Sequence, residues 1–130
     1  MTDVELVKEA MKIKKKAHAP YSNFKVGAAL MGDNDKVYTG CNVECSNGSS
    51  ICAERTALVK AVSAGVTKFS KIAIVGGPGE ELIYCPPCGT CRQFLHDFGD
   101  IKVILGYKED NKIKCKKMSL NDLLPESFIR

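Results

Sequence analysis

Several features are missing from this 130-residue sequence, and each absence excludes a class of protein. The longest apolar runs, such as residues 26–31 and 72–75, are far too short to span a lipid bilayer. The first residues lack the basic-then-apolar layout of a secretory signal, and we find no repeats, low-complexity segments or linkers. Hydrophobic residues make up 45% of the chain and charged residues 26%, which is typical of a globular protein. We therefore expect a single domain over residues 1–130, located in the cytoplasm and without a membrane partner.

The net charge of +4 is not accompanied by the features of a nucleic-acid-binding surface. It comes largely from two lysine clusters, at residues 12–16 and 112–117. Neither cluster is interleaved with aromatic residues that would stack on bases. We interpret the clusters as solvated faces of a helix and a strand, and we expect no nucleic-acid partner.

The seven cysteines are many for a chain with no sign of an oxidising compartment. An odd number does not pair completely, and a disulfide framework requires such a compartment. Metal ligation or thiol chemistry is therefore the leading use for some of these residues.

Apolar periodicity and turn residues predict an alternation of helices and strands. Gly32-Asp33-Asn34-Asp35 is a strong turn signal between two strand-like segments and predicts a hairpin. The predicted order is α-β-β-α-β-α-β-β-α, which favours an α/β fold with a mixed sheet and helices on both faces. The predicted helices cover residues 3–17, 52–64, 89–98 and 120–124, and the predicted strands cover residues 26–31, 36–41, 70–75, 102–105 and 112–115.

Three cysteines at predicted helix starts indicate a metal site. Cys88 and Cys91 form a Cys-x-x-Cys pair, whose two sulfurs project towards one point and suit tetrahedral zinc. Cys52 opens the preceding predicted helix. The orphan N–H groups and dipole of a helix N-terminus stabilise thiolates. Three thiolates leave one position of zinc open, as in a catalytic site, whereas four close it.

Two residues that follow Cys52 would supply further groups to such a site. Glu54 lies on the same first helical turn but points elsewhere, so its carboxylate would lie beside the metal without binding it. Zinc lowers the pKa of bound water from 15.7 to about 7, and a nearby carboxylate can move the released proton to a leaving group. Arg55 would offset the negative charge of three thiolates by hydrogen-bonding the sulfurs. The competing interpretation of Arg55 is an exposed helix arginine.

Cys85 makes the ligand set ambiguous on spacing alone, because it precedes Cys88 by the same interval that separates Cys88 from Cys91. With Cys52 it would complete a closed four-cysteine site and abolish hydrolysis. Pro86-Pro87 favour an extended approach for Cys85, while Pro87 suits entry into the helix. We therefore expect Cys85 to lie outside the ligand set.

The two short motifs together match a specific, longer sequence pattern. Zinc deaminases share a metal-ligand-x-Glu motif followed by Pro-Cys-x-x-Cys, and here the frame reads Cys52-Ala53-Glu54 and Pro87-Cys88-Gly89-Thr90-Cys91. Beyond this frame, nearly everything from residue 5 to 128 resembles the small homotetrameric cytidine deaminases. The further matching segments are Ala19-Pro20-Tyr21-Ser22-Asn23-Phe24-Lys25-Val26-Gly27-Ala28-Ala29-Leu30, Gly40-Cys41-Asn42-Val43-Glu44 and Leu123-Leu124-Pro125.

The resemblance implies a fold, an activity and a set of partners. The fold would be a three-layer α-β-α sandwich with a five-stranded mixed sheet. The activity would be zinc-dependent hydrolytic deamination of cytidine and 2′-deoxycytidine to the uridines, with release of ammonia, in pyrimidine salvage. The resemblance also implies one Zn²⁺ per subunit and a homotetramer whose active sites are shared between subunits.

Residue by residue, the resemblance assigns Cys52, Cys88 and Cys91 as zinc ligands and Glu54 as the proton shuttle. It also assigns Arg55 as the residue that tunes the charge at zinc, and it assigns five substrate contacts. These contacts are Phe24 against the nucleoside, Asn42 and Glu44 to the ribose 3′-hydroxyl, the Ala53 backbone to the pyrimidine edge and Phe128 in a neighbouring subunit's pocket.

The residues alone leave the roles of Asn42 and Glu44 open. The two alternate at a strand end, and they either face a pocket or cap a loop.

Three departures from the family pattern leave the substrate open. Residues 45–51 are one residue shorter than usual and lack an aromatic, Pro86 replaces a frequent serine, and the sequence extends only two residues past Phe128. Deamination of a different cytosine compound, as in the related blasticidin S deaminases, is therefore a near rival. More distant rivals are editing of RNA or DNA, a structural four-cysteine zinc module, and a thioredoxin-like redox role for Cys88 and Cys91.

Overall fold

The computed structural model describes residues 1–130 and contains nine regular elements in the predicted order. None of its helices has both the length and the apolar character needed to cross a bilayer. The helices are α1 (Asp3–Lys14), α2 (Ala53–Ser63), α3 (Gly89–His96) and α4 (Leu120–Leu123). The strands are β1 (Phe24–Gly32), β2 (Val37–Cys41), β3 (Phe69–Pro78), β4 (Lys102–Glu109) and β5 (Lys112–Ser119).

All five strands form one mixed sheet in the order β2-β1-β3-β4-β5. The pair β3–β4 is parallel and the other three pairs are antiparallel. The predicted hairpin is present, since β1 pairs with β2. The predicted five-stranded mixed sheet is therefore confirmed.

The two faces of the sheet bury separate cores, because successive strand residues point to opposite faces. On β1, Ala28 and Leu30 join a core with residues of α2 and α3. Ala29 and Met31 instead join a core with residues of α1. Helices thus cover both faces, and the predicted three-layer α-β-α sandwich is confirmed.

Several predicted boundaries were wrong. The first helix, predicted to extend to residue 17, ends at Lys14 in the structure, and the His18 amide donates to the Asn42 carbonyl at 3.0 Å instead. The third strand was predicted to end at residue 75, but Gly76 and Gly77 continue the pairing with β1. The last two strands, β4 and β5, are also longer than predicted, because they pair with each other along their whole length.

The interpretation of the first lysine cluster as a solvated face is wrong at one position. Lys14 is only 4% exposed, and its Nζ donates to the Gly79 carbonyl at 2.6 Å. Gly27 is the local reason, because a Cβ there would collide with the Ala10 carbonyl and the Lys14 backbone. The glycine lets α1 approach the sheet closely, and Lys14 is buried at the contact.

One edge of the sheet collects the segments that carry the predicted functional residues. β2 and β3 end at this edge, and β1, which is antiparallel to both, begins there. The chain then leads from β2 to the start of α2, and from β3 to the start of α3. Gly40 lets α2 lie close to β2, since a Cβ would collide with the Ala53 carbonyl and the Ala57 amide.

Candidate metal centre

The predicted zinc ligands lie at two facing helix N-termini. Cys52 is the N-cap of α2 and Cys88 the N-cap of α3, and neither side chain caps its own helix through a hydrogen bond. Cys91 lies in the first turn of α3 and is fully buried. Uncapped helix N-termini favour negative charge, so both helices favour thiolates at this point.

The three sulfurs have the spacing that zinc requires. Their Sγ atoms lie within 4.8 Å of one another, and those of Cys52 and Cys88 are 3.7 Å apart. Zinc–sulfur bonds of about 2.3 Å in a tetrahedron place neighbouring sulfurs about 3.8 Å apart. This is the only cluster of possible metal ligands in the chain, and its donor set fits zinc with one position left open.

The electrostatics around Cys52 favour its thiolate. Hydrogen bonding from the Cys91 thiol, followed by hydrogen bonding from Arg55, lowers the pKa of Cys52 to about 5. The same interaction and burial raise the pKa of Cys91. Arg55 Nη2 donates to the Cys52 sulfur at 3.4 Å, and the guanidinium lies 5.8 Å from the centre of the Phe94 ring. The hydrogen bond to sulfur predicted for Arg55 is therefore present.

Glu54 is a buried carboxyl beside the three sulfurs. It is 4% exposed, lies on the first turn of α2 and is absent from the cluster of possible ligands. Burial, opposed in part by backbone and side-chain hydrogen bonds, raises the pKa of Glu54 to about 7. A carboxyl with a pKa near neutrality holds and releases protons at physiological pH.

Cys85 lies in the same cavity but is not a member of the three-sulfur cluster. Burial raises the pKa of Cys85 to about 11. Its position outside the cluster favours the open three-cysteine site over a closed four-cysteine site.

A cavity of about 190 Å³ opens beside the sulfurs. Glu54 and Ala53 line it from α2, and Asn42 and Glu44 line it from the segment that follows β2. Ser50 and Ile51 also line it, so the loop that departs from the family pattern borders the cavity directly. The cavity therefore brings together the metal cluster, the buried carboxyl and both residues predicted to bind the sugar.

The polar atoms of Asn42 and Glu44 are already hydrogen-bonded to nearby segments of the chain. Asn42 Oδ1 accepts from the Val26 amide and its Nδ2 donates to the Phe24 carbonyl, both at 2.8 Å. Glu44 Oε1 accepts from the Tyr21 and Ser22 amides at 2.9 and 3.2 Å. Both side chains are therefore held in place by the backbone around β1.

Ser22 completes this arrangement. Its hydroxyl donates to Glu44 Oε2 at 2.5 Å and accepts from the Phe24 amide at 3.0 Å. These bonds lower the pKa of Glu44, with the Ser22 hydroxyl as the largest contribution. We call the hydrogen bonds made by Ser22, Asn42 and Glu44 the Glu44 network. A carboxylate oxygen and an amide group accept or donate more than one bond each, so the network retains capacity for a ligand.

The remaining predicted substrate contacts are placed less directly. Ala53 is fully buried and lines the cavity, whereas Phe24 is half-buried and does not line it. Phe128 is 71% exposed, outside the cavity of its own chain. Its carbonyl accepts from Gln93 Nε2 at 3.1 Å, which ties the C-terminal segment to α3.

Two residues of the site region received no role from the sequence. Ser22 lies inside the matching segment of residues 19–30, but nothing in that pattern indicates its bond to Glu44, because the two residues are brought together only by tertiary contacts. Arg92 donates to the carbonyls of Pro87 and Leu123 at 2.7 and 2.8 Å. It thereby fixes the residue that precedes Cys88. The adjacency of Arg92 to the Cys-x-x-Cys pair was the available signal.

Comparison with known proteins agrees with this geometry. The family model of the cytidine and deoxycytidylate deaminase zinc-binding region matches residues 1–107. A cytidine deaminase of Sporosarcina psychrophila is 41% identical over 130 residues, covering 97% of this chain and 91% of the relative. A probable cytidine deaminase of Dictyostelium discoideum is 44% identical over 113 residues, covering 86% of this chain and 74% of the relative.

Solved structures show the same relationship. The crystal structure of cytidine deaminase from Burkholderia pseudomallei superposes with a TM-score of 0.88 at 41% identity, covering 98% of this chain and all of that one. The match to a zinc-binding region and the three-sulfur cluster identify zinc as the cofactor. The chain belongs to the cytidine and deoxycytidylate deaminase family.

Proposed function

We propose that this protein hydrolyses cytidine and 2′-deoxycytidine to uridine and 2′-deoxyuridine, consuming one water and releasing one ammonia, as a step of pyrimidine salvage. The observation that carries the proposal is a buried carboxyl, Glu54, beside three sulfurs spaced for zinc. The Sporosarcina psychrophila relative and the matched crystal structure are both named as cytidine deaminases, which supports the same activity here.

The ligand assignment rests on the cluster formed by Cys52, Cys88 and Cys91. Zinc, when bound there, supplies a site that acidifies water to a pKa of about 7. Arg55 withdraws negative charge from Cys52 through its hydrogen bond, and this charge withdrawal preserves the acidifying power of a site with three thiolates.

Glu54 moves the protons of the reaction. Its burial excludes bulk water and raises its pKa to about 7, so the carboxyl takes up and returns a proton at little cost near neutral pH. It delivers the first proton to N3 of the pyrimidine ring and the second to the departing amine. The Ala53 backbone, which lines the same cavity, holds the polar edge of the pyrimidine.

The Glu44 network positions the sugar. Glu44 is held by Ser22 and two backbone amides, and Asn42 is held by the backbone on either side of residue 25. Groups fixed before the ligand arrives lose little entropy on binding. Asn42 and Glu44 share the ribose 3′-hydroxyl, and Phe24 packs against the nucleoside.

We assign the protein to a homotetramer with shared active sites. Phe128 is exposed in a single chain, as a residue that enters a neighbour's pocket must be. Val59, Val62 and Phe94 are 54%, 40% and 47% exposed on α2 and α3, and a subunit contact would bury these apolar side chains. The seven unpaired cysteines favour a reducing compartment such as the cytoplasm, and residues 1–130 act as one domain.

The Glu54→Gln variant tests the function. The amide keeps the shape of the side chain but carries no transferable proton, so kcat for cytidine falls about 10²–10⁴-fold. Zinc content, measured on the same sample by atomic emission, stays at the wild-type level, and the exposed control Glu126→Gln keeps full activity. Turnover by Glu54→Gln comparable to wild type would overturn the assignment of Glu54.

A different cytosine compound is the second candidate substrate, because Ser50 and Ile51 of the atypical loop line the cavity. Cytidine, deoxycytidine and blasticidin S are offered together at equal concentration, and each product is quantified by mass spectrometry. Preferential conversion of the two nucleosides supports the proposal. Preferential conversion of blasticidin S would overturn the substrate while leaving the zinc chemistry in place.

A further inference from the structure

A second cavity, of about 350 Å³, lies on the α1 face of the sheet, opposite the face that packs against α2 and α3. Four of its eight lining residues are lysines, and the only acidic one is Glu80. Its volume is within the range of ligand-binding pockets, roughly 300–1,000 Å³. We call it the lysine pocket, defined by Lys14, Lys15, Lys25 and Lys108.

The lysines of this pocket lack counter-ions, unlike the lysines of another cluster in the same chain. Lys71, Lys102 and Lys117 converge on Asp3 with nitrogen–oxygen distances of 2.8–3.0 Å. None of the four pocket lysines has a carboxylate oxygen within 4.0 Å; the chain's only other ion pair joins Lys12 to Glu9. The pocket therefore concentrates positive charge that nothing in the chain neutralises at contact distance.

Lys14 makes the pocket a built site and not only a group of surface lysines. Its side chain is buried, and its Nζ uses one of three N–H donors on the Gly79 carbonyl. Burial first, and the nearby charge of Lys25 second, lower the pKa of Lys14. A buried ammonium with two free donors gains much from an anion, because an ion pair offsets its lost hydration.

The second wall of the pocket is supplied by the ends of three strands. Lys25 is the second residue of β1, Lys108 is near the end of β4, and Glu80 follows β3. Met11 and Leu82 provide its apolar surface. Cationic groups therefore approach one space from a helix and from the sheet, which is suited to an anion with several charged oxygens.

We propose that the lysine pocket binds a polyphosphate group, carried by inorganic polyphosphate or by a nucleotide. Ammonium groups bind phosphate oxygens through short, charge-assisted hydrogen bonds. A neutral nucleoside carries no group that would engage four ammonium charges. The pocket is therefore a site for a different ligand from the one bound beside the sulfurs, and it lies on the opposite face of the sheet.

The test titrates the zinc-loaded, full-length protein with tripolyphosphate and with adenosine 5′-triphosphate at fixed ionic strength in isothermal calorimetry. The Lys25→Ala/Lys108→Ala variant leaves the buried Lys14 in place. Loss of two charge-assisted bonds weakens binding at least about tenfold. The control Lys16→Ala/Lys112→Ala removes the same charge from exposed positions outside the pocket, and it changes affinity by less than about twofold.

The Glu80→Gln variant is expected to change the affinity in the opposite direction to the lysine variants. Removing the one carboxylate of the pocket tightens tripolyphosphate binding, whereas the exposed control Glu126→Gln does not. Similar affinity for both probes identifies the polyphosphate chain as the recognised group, and tighter binding of adenosine triphosphate identifies a nucleotide. No saturable binding by wild type, or equal weakening by the two lysine double variants, would overturn the proposal.

Discussion

The metal centre and the Glu44 network lie at the same edge of the sheet, yet they are built in different ways. The metal ligands are placed by two helix starts, Cys52 by that of α2 and both Cys88 and Cys91 by that of α3, so each lies within a few residues of a local signal. The Glu44 network joins Ser22 to Glu44 across 22 residues of sequence and depends on the pairing of β1 with β2. Functional residues that local structure positions can be predicted from a short sequence motif, whereas residues that tertiary contacts position cannot.

The two regions should also differ in what a single substitution does. The three metal ligands bind one ion together, so loss of one ligand releases the ion and abolishes the activity that depends on it. The Glu44 network consists of several hydrogen bonds, each contributing roughly 0.5–3 kcal/mol. We therefore expect a substitution at the metal centre to abolish activity and a substitution in the Glu44 network to reduce it only in part.

The largest effect is expected from Cys88→Ser. A hydroxyl is a much poorer zinc ligand than a thiolate, so metal affinity falls more than about 100-fold and deamination is lost with it. Zinc content by atomic emission and ammonia release are measured on the same preparation. The matched control is Cys85→Ala, which lies in the same cavity and keeps zinc and activity. Loss of zinc from both variants would show that Cys85 is also a ligand.

A smaller effect is expected from Ser22→Ala. Glu44 loses its shortest hydrogen bond, so KM for cytidine rises about tenfold while kcat changes little. With 3′-deoxycytidine the variant and wild type have similar KM values, since the hydroxyl that Glu44 binds is absent. The exposed control Ser63→Ala changes neither KM nor kcat for cytidine. An equal rise in KM with both substrates would mean that Ser22 supports the fold and not the sugar contact.

The smallest effect is expected far from both regions, at Asp3. The lysines that surround it, Lys102 most strongly, hold the pKa of Asp3 well below its usual range. Because the folded-state pKa is lower than the unfolded value of about 3.9, the stabilisation is present above that pH and is lost as the pH falls below it.

Asp3→Asn therefore lowers the free energy of unfolding by about 1 kcal/mol at pH 7, a value typical of partly exposed ion pairs. Its difference from wild type shrinks as the pH falls below about 4. Urea unfolding at several pH values measures this, with the exposed Asp33→Asn as control. Activity at pH 7 is unchanged. A stability difference independent of pH would contradict the ion-pair explanation.

Much of the fold follows from local pattern. Periodicity and turn residues predict the order of all nine elements, because each element carries its own signal. The ends of elements are less predictable. α1 ends at Lys14 since the following residues are needed for the backbone pairing of His18 with Asn42, and β3 continues through Gly76 and Gly77 since β1 offers partners. Both are decided by distant segments.

The same limit applies to single side chains. The lysine cluster at residues 12–16 was predicted to be solvated, but Lys14 is buried because Gly27 allows α1 to approach the sheet. The role of Ser22 was not predicted, because its partner Glu44 is distant in sequence. By contrast, the three-sulfur cluster and the adjacent Glu54 are encoded by two short motifs whose helical geometry is fixed locally.

We expect an open zinc site with three sulfur ligands, beside a carboxyl that does not bind the metal. Zinc K-edge X-ray absorption on the purified protein measures it directly. Three sulfurs at about 2.3 Å and one oxygen or nitrogen at about 2.0 Å are expected, with a spectrum unchanged in the Cys85→Ala variant. Four sulfurs around zinc would contradict an open site and would favour a closed structural one.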